Sequence, residues 1–369
     1  MPSESQSSAT SPCPTGPFQG PRGGGALPGP GAGPIPGAGH GPMPGMPKMI
    51  MSATIAPSDT STSTILSPNP SDQIVCGKTP LKMVHDLVFS EPALPNGTKK
   101  KLAMDIQIPA RPGKKPLVVY VTGGGFAFAP KESALNLRTY VAEAGFVVAS
   151  IQYRTVMDGA NYRDGIADVK SAIRYPRAHA NDYGIDPDKV AVWGESAGGY
   201  LASMAGVTGN VKTFDTGDNL GQSSAVQAVI DKFGPSDLSK VATDFDTRSQ
   251  EAYSSADNPI AHYVNGASST KGLVDDPTAT TTANPVTYIT ASDPAFLLFH
   301  GSKDPLVSPS QTLLLHNALL QAGVRSKRYV LTGASHGDVA FLGDVKSGQP
   351  WSTNEVMGIM VRFLKDNLG

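Results

Sequence analysis

The feature that most limits the fold of this chain is a series of short apolar runs without polar alternation. Strands that are apolar on both faces are typical of a parallel sheet covered by helices on both sides. The runs lie at 116–121, 146–151, 189–193, 225–230, 295–300 and 327–331. Stretches with helical spacing of apolar residues lie at 133–144, 162–183, 197–206, 309–321 and 354–367. This alternation predicts one doubly wound α/β domain over residues 76–369.

Two further β-rich runs, at 84–90 and 102–109, precede the alternation and are joined through the turn signal Pro-Asn-Gly at 95–97. They predict an antiparallel hairpin and bring the mostly parallel sheet to eight strands. Residues 236–290 are polar and rich in turn residues, although they lie between two predicted core strands. A long insertion of this kind is more often a lid or binding loop than a plain connection. We expect it to form a cap over the functional site.

Residues 1–75 have a different composition, dominated by Gly and Pro from 12 to 47 and by Ser, Thr, Pro and Asp from 52 to 71. Such a segment buries too little apolar surface to offset the entropy of ordering it, so an extended arm is predicted. Either the arm is a solvated tail, or it docks on its own core or on a second subunit and so builds a homodimer. Docking would use the apolar residues that interrupt this composition, namely Met43, Met46, Met49, Ile50 and Met51.

The charge and composition of the chain limit the kinds of binding partner that are expected. Thirty basic and 31 acidic residues leave a net charge of -1, which gives no reason to expect nucleic acid. No apolar run approaches the roughly 18 residues of a membrane span, and the N-terminus lacks the pattern of a secretory signal. A cytoplasmic location is the default expectation, with export of a processed form as the alternative.

Cys13 and Cys76 match no metal-ligand spacing and are expected to be free thiols, unless export allows them to pair.

The sequence Gly194-Glu195-Ser196-Ala197-Gly198 directly follows an apolar strand and opens a predicted helix. Small residues two before and two after a serine allow the tight turn that lifts its Oγ above the sheet edge. Ser196 is therefore the predicted nucleophile. An incidental serine in a tight turn is the alternative, and the strand and helix around the motif count against it.

Three glycines at 123–125 follow the strand at 116–121. Glycines allow backbone amides to approach a ligand oxygen closely. We expect the amides of Gly124, Gly125 and Ala197 to form an oxyanion hole. A phosphate cradle is disfavoured because neither a Walker lysine nor a GxGxxG pattern follows.

Asp304 and His336 each follow a predicted core strand, so both should emerge at the edge of the sheet that carries Ser196. The order Ser, Asp, His is that of the α/β-hydrolases. His336 is the only histidine at a late strand end flanked by small residues, and it is the predicted general base. His300 lies four residues before the predicted acid Asp304 and is expected to brace that loop.

Together these motifs resemble the hormone-sensitive-lipase-like branch of the α/β-hydrolase superfamily, a group of mainly bacterial carboxylesterases. The resemblance covers about 80–367 and includes TGGGF, QYR at 152–154, WGESAGG, FGPSD, FHGSKDPLV and the late SHG. It implies the same triad and the same oxyanion amides. Thr122 departs from the family, which usually has a histidine before the glycines.

The expected reaction is hydrolysis of a small carboxylic ester, aromatic or xenobiotic ones included, through an acyl-enzyme without metal or cofactor. An amidase or peptidase with the same triad and a non-catalytic binding protein are the alternatives. Four aromatic residues near the motifs are candidates for lining the substrate pocket, with core packing as the simpler interpretation of each: Phe126, Phe128, Phe341 and Trp351.

Overall fold

A nine-stranded sheet organises the described part of this computed structural model, which comprises residues 11–14, 50–337 and 345–369. The strands in chain order are β1 Ser11–Pro12, β2 Thr64–Leu66, β3 Val75–Cys76, β4 Leu81–Ser90, β5 Leu102–Pro109, β6 Lys115–Val121, β7 Val147–Ile151, β8 Ile185–Glu195, β9 Ala228–Lys232, β10 Ala295–Gly301 and β11 Ser326–Leu331. The sheet order is β2-β11-β10-β9-β8-β6-β7-β5-β4, and β1 pairs with β3 apart from it.

Helices cover the sheet and build the insertion. Their bounds are α1 Leu135–Glu143, α2 Tyr162–Ala178, α3 Ala180–Tyr183, α4 Ala197–Val207, α5 Thr247–Ser254, α6 Pro259–Asn265, α7 Pro277–Thr282, α8 Ser310–Gln321 and α9 Asn354–Leu368. Asn161 caps the start of α2 in a capping box with Asp164. The single helix predicted over 162–183 is interrupted at His179, whose φ of -111° and ψ of 28° leave the helical region.

The predicted α/β-hydrolase architecture is confirmed, because β6 to β11 pair parallel with one another, while β5 pairs antiparallel with both β4 and β7. The strand count of eight is corrected to nine. The ninth strand is β2, which pairs parallel with β11 at the sheet edge. It escaped prediction because it has only three residues, and Ile65 at its centre is half exposed, so no buried apolar run marks it.

Strand side chains alternate between two buried clusters, one on each face of the sheet. On β6, Val119 belongs to one cluster and Tyr120 to the other, and both are almost fully buried. This double burial explains why the core strands read as continuous apolar runs. Within the described ranges, no helix is long and apolar enough to cross a bilayer.

Residues 50–56 of the predicted arm lie on the domain of their own chain. The Ser52 amide donates to the Pro305 carbonyl at 2.9 Å, and the Ala56 amide donates to the Asp244 carbonyl at 2.7 Å. The Ser52 hydroxyl also contacts the Asp246 carboxylate at 2.8 Å. We call residues 50–56 the strap, since they join the loop after β10 to the insertion.

Cys13 and Cys76 form a disulfide with a Cα–Cα distance of 4.7 Å. The expectation of free thiols is therefore wrong. Both cysteines are buried, and the pairing of β1 with β3 brings Ser11 opposite Cys76. Sequence spacing could not show this, because the two residues are 63 positions apart and meet only through that strand pair.

The insertion over 236–290 contains the short helices α5, α6 and α7. Asp246, Asn258 and Asp276 each accept a hydrogen bond from the first turn of the helix that follows, as expected of N-cap residues. The insertion packs on α4, the helix that follows Ser196, since the Tyr200 hydroxyl donates to the Ala283 carbonyl at 2.7 Å. We call residues 236–290 the cap.

Candidate active site

Ser196 lies in a sharp turn between β8 and α4, with φ 55° and ψ -124°. A residue other than glycine rarely adopts a positive φ, so the surrounding backbone must hold it. A Cβ at Gly194 would come within 2.0 Å of the Gly198 carbonyl oxygen, and one at Gly198 within 2.0 Å of the Val121 carbonyl oxygen. The glycines on either side of the serine are therefore required by close backbone packing.

The structure brings Ser196, His336 and Asp304 together. The Nε2 of His336 lies 2.8 Å from the Ser196 Oγ, and its Nδ1 lies 2.7 Å from Asp304 Oδ2. Ser196 follows β8, Asp304 follows β10 and His336 follows β11, so all three lie at the carboxyl ends of parallel strands. This is the geometry in which an imidazole can take a proton from a hydroxyl while a carboxylate fixes its tautomer.

Asp304 is fully buried. Burial alone would raise its pKa, but the His336 and His300 side chains hold the pKa well below the usual value for aspartate. The amides of Leu306 and Val307 also donate to Oδ1, each at 2.9 Å. The other carboxylate oxygen of Asp304, Oδ2, is the one that His336 and His300 contact.

His300 lies behind the acid, as the sequence predicted. Its Nε2 is 3.0 Å from the Val307 carbonyl and 3.2 Å from Asp304 Oδ2, and its Nδ1 is 3.0 Å from Thr312 Oγ1. Because Arg328 Nε donates to Thr312 Oγ1, the threonine hydrogen is free to point at Nδ1. His300 then donates from Nε2 and braces the acid loop.

The glycine loop lies beside Ser196. A Cβ at Gly123 would lie 3.1 Å from the Ser196 Cβ, and Gly124 and Gly125 have φ values of 144° and 59°. The amides of Gly124 and Gly125 donate to no other group among the described residues. Ala197 opens α4, where an amide has no partner within the helix. Three amides are therefore available near Ser196.

Tyr153 supports this loop, a contact that the sequence analysis missed. The buried Tyr153 hydroxyl donates to the Thr122 carbonyl at 3.0 Å and lies 3.5 Å from the Phe128 carbonyl. It therefore reaches both ends of the loop. The Thr122 hydroxyl donates to the carbonyl of the adjacent Gly123 at 3.2 Å. Tyr153 is part of the QYR motif, which was the available signal.

A buried ion pair lies behind Ser196, and the sequence analysis also missed it. Lys232 Nζ is 2.6 Å from Glu195 Oε1, and the Tyr120 hydroxyl donates to Glu195 Oε2 at 3.2 Å. The Lys232 ammonium lies 5.1 Å from the centre of the Trp351 ring. The Ser196 amide donates to the Lys232 carbonyl at 2.9 Å, and Glu195 directly precedes Ser196. Both residues of the ion pair therefore adjoin the turn that holds Ser196.

The aromatic candidates lie in different surroundings. Phe126 is 2% exposed and packs on Tyr200 and Tyr263, and Trp351 is 1% exposed and packs on Phe233. Their burial favours core packing, while Phe128 is half-buried. Phe341 lies outside the described residues. The role of these four residues in binding substrate stays a prediction.

In the described ranges, no three His, Cys, Asp or Glu side chains are grouped so that they could hold a metal ion. The site consists instead of a hydroxyl, an imidazole, a carboxylate and free amides at the carboxyl edge of a mostly parallel sheet. Fold and site together define the α/β-hydrolase class.

Comparison with known proteins places the chain in a family. A family model described as BD-FAE matches residues 104–319, and the chain belongs to this family. The esterase LipQ of Mycobacterium tuberculosis is 30% identical over 228 residues, and the probable carboxylic ester hydrolase LipM of the same organism is 31% identical over 205 residues. These matches cover 61% and 54% of this chain but 51% and 43% of the relatives, so the chain spans about half of their length.

The fold agrees with a solved structure described as a truncated form of a carbohydrate esterase from gut microbiota. The TM-score is 0.66 at 24% identity, and the match covers 82% of this chain and 99% of that one. This match shows the fold, and the α/β architecture predicted from the motifs agrees with it.

Proposed function

We propose that this protein is a serine carboxylic-ester hydrolase with Ser196 as nucleophile, His336 as general base and Asp304 as the orienting acid. The proposal rests chiefly on one observation, the chain of contacts from Ser196 Oγ through His336 to Asp304 at 2.8 and 2.7 Å. The names of the esterases LipQ and LipM support it.

In the first step, Ser196 Oγ attacks the ester carbonyl carbon while His336 Nε2 takes the hydroxyl proton. The carbonyl oxygen becomes an oxyanion that the amides of Gly124, Gly125 and Ala197 stabilise. The tetrahedral intermediate collapses, the alcohol leaves with the proton from His336, and an acyl-enzyme remains. Water then attacks this ester with His336 again as base, and the carboxylic acid is released.

The substrate expected from the motifs is a small ester, with aromatic and xenobiotic esters among the candidates. An amidase with the same triad is the second candidate. A matched pair of nitrophenyl ester and nitroanilide with the same acyl group separates the two, and we expect turnover of the ester to exceed that of the anilide.

Mutation of the nucleophile tests the assignment. Ser196→Ala should lower kcat on nitrophenyl acetate by on the order of 10⁶-fold, as loss of a triad nucleophile does. Ser335→Ala is the matched control, because Ser335 lies beside His336 and is only half-buried. Retention of a tenth of the activity by Ser196→Ala, with circular dichroism unchanged, would contradict the assignment.

We also propose that the protein works in an oxidising compartment, because structural disulfides such as Cys13–Cys76 persist there and are rare in the cytosol. This revises the default expectation of a cytoplasmic location. The homodimer through the arm stays a prediction. The strap docks on its own chain, so seating residues 50–56 needs no second subunit.

A further inference from the structure

The glycine loop contains a residue whose conformation needs support. Phe126 follows Gly125 and has a φ of 62°, a value that is strained for a side chain of this size. Its carbonyl accepts a hydrogen bond from the Val156 amide at 2.9 Å, which fixes one side of the peptide. Because Phe126 adjoins the amides of Gly124 and Gly125, its position affects where those amides point.

Two tyrosines hold the Phe126 ring. The ring stacks on Tyr263 with centroids 4.4 Å apart and an interplanar angle of 24°, and it meets Tyr200 edge-on at 5.4 Å. Tyr200 belongs to α4, the helix that begins with Ala197, whereas Tyr263 belongs to α6 of the cap. The stack therefore connects the glycine loop to the cap and to the helix that carries the third amide.

We propose that Tyr263 is a positioning residue for the oxyanion amides and acts through Phe126, an inference that rests on the proposed esterase function. The ring of Tyr263 positions Phe126, and the hydroxyl of Tyr263 takes no part in this. Tyr263 is fully buried, and its hydroxyl has no hydrogen-bond partner among the described residues. A buried hydroxyl without a hydrogen-bond partner lowers the stability of the fold, so the hydroxyl does not explain a tyrosine at this position. The stacking of its ring on Phe126 does.

The position of the Tyr263 ring depends on one glycine in α2. A Cβ at Gly165 would lie 1.8 Å from the Tyr263 hydroxyl oxygen and 3.1 Å from the ring carbon that bears it. Gly165→Ala therefore cannot coexist with the tyrosine in its present place. It can coexist with phenylalanine after a shift of a few tenths of an ångström, since the hydroxyl is then gone.

The test uses three variants of the full chain: Gly165→Ala, Tyr263→Phe and the double variant. Active sites are counted with a fluorophosphonate, and kcat and KM are measured on a nitrophenyl ester. We expect Gly165→Ala to lower kcat by about 10- to 100-fold, the effect of a misplacement near 1 Å, with KM little changed. Tyr263→Phe keeps the ring and is the reference for the double variant, which should recover most of the loss relative to it.

A trifluoromethyl ketone adds a readout that a merely structural role would not change, because its adduct with the serine carries an oxyanion. Its affinity should weaken in Gly165→Ala by the same factor as kcat and return in the double variant. Phe245→Leu is the control, since Phe245 is a buried cap aromatic that contacts Tyr253 instead of the loop. It should leave kcat near the wild-type value.

Unchanged kcat in Gly165→Ala, or no recovery in the double variant, would overturn the proposal for Tyr263 while leaving the esterase assignment intact. Wild-type protein that neither turns over any ester nor reacts with the fluorophosphonate would instead overturn the proposed function.

Discussion

Replacement of Lys232 by methionine is expected to destabilise the fold strongly. The Lys232 side chain is 1% exposed and that of Glu195 is 11% exposed, with 2.6 Å between Nζ and Oε1. Removal of one partner of a buried ion pair leaves an uncompensated charge, which costs about 3–5 kcal/mol. A domain is commonly stable by about 5–15 kcal/mol, so this loss is a large share of the total. Methionine itself should fit, because thioethers pack well among aromatic rings.

The double variant Lys232→Met with Glu195→Gln separates the effect of the unpaired charge from the effect of losing the lysine side chain. Glutamine still offers an oxygen to the Tyr120 hydroxyl, and no unpaired charge remains, so we expect most of the stability to return. Urea unfolding should be followed by far-ultraviolet circular dichroism, because Trp193 and Trp351 flank the lysine and their fluorescence would change for local reasons. A loss below about 1 kcal/mol in Lys232→Met, or a double variant as unstable as the sum of both single variants, would refute the reasoning.

Three further predictions follow from other parts of the structure. Burial raises the pKa of Asp231 to about 7. The stability contributed by its protonated form is therefore fully present below pH 3.8 and is lost as the pH rises through 7. Asp231→Asn should raise the free energy of unfolding more at pH 8 than at pH 4, and equal increases at the two pH values would contradict this. Deletion of residues 1–56 removes the strap together with Cys13, so it is made with Cys76→Ser and compared with the double variant Cys13→Ser, Cys76→Ser. The melting temperature and kcat should both fall below those of that variant; unchanged values and an unchanged mass by light scattering would leave the strap without a role. The double variant Cys13→Ser with Cys76→Ser should lose about 2–4 kcal/mol of stability in urea unfolding, and no loss would count against the disulfide.

The strands and the meeting of Ser196, Asp304 and His336 could be predicted because their signals are local. A strand buried on both faces must be apolar throughout, and a serine in a sharp strand-to-helix turn requires glycines on both sides. Asp304 and His336 each follow such a strand, so their meeting at one sheet edge follows from the topology.

The supporting residues could not be predicted in this way, because their roles arise from contacts between distant parts of the chain. Tyr263 acts on a loop more than 130 positions away, and Lys232 becomes the partner of Glu195 only when β9 lies beside β8. The strap is short, and the backbone hydrogen bonds that join it to the loop after β10 and to the cap are not revealed by composition.

In the proposed reaction, Ser196 forms a covalent intermediate with the help of His336. Intact-mass spectrometry after reaction with a fluorophosphonate tests it most directly, followed by peptide mapping of the adduct. We expect one adduct per chain, located on Ser196, with no adduct in Ser196→Ala and much slower reaction in His336→Ala. An adduct on another residue, or equal labelling of Ser196→Ala, would contradict the account.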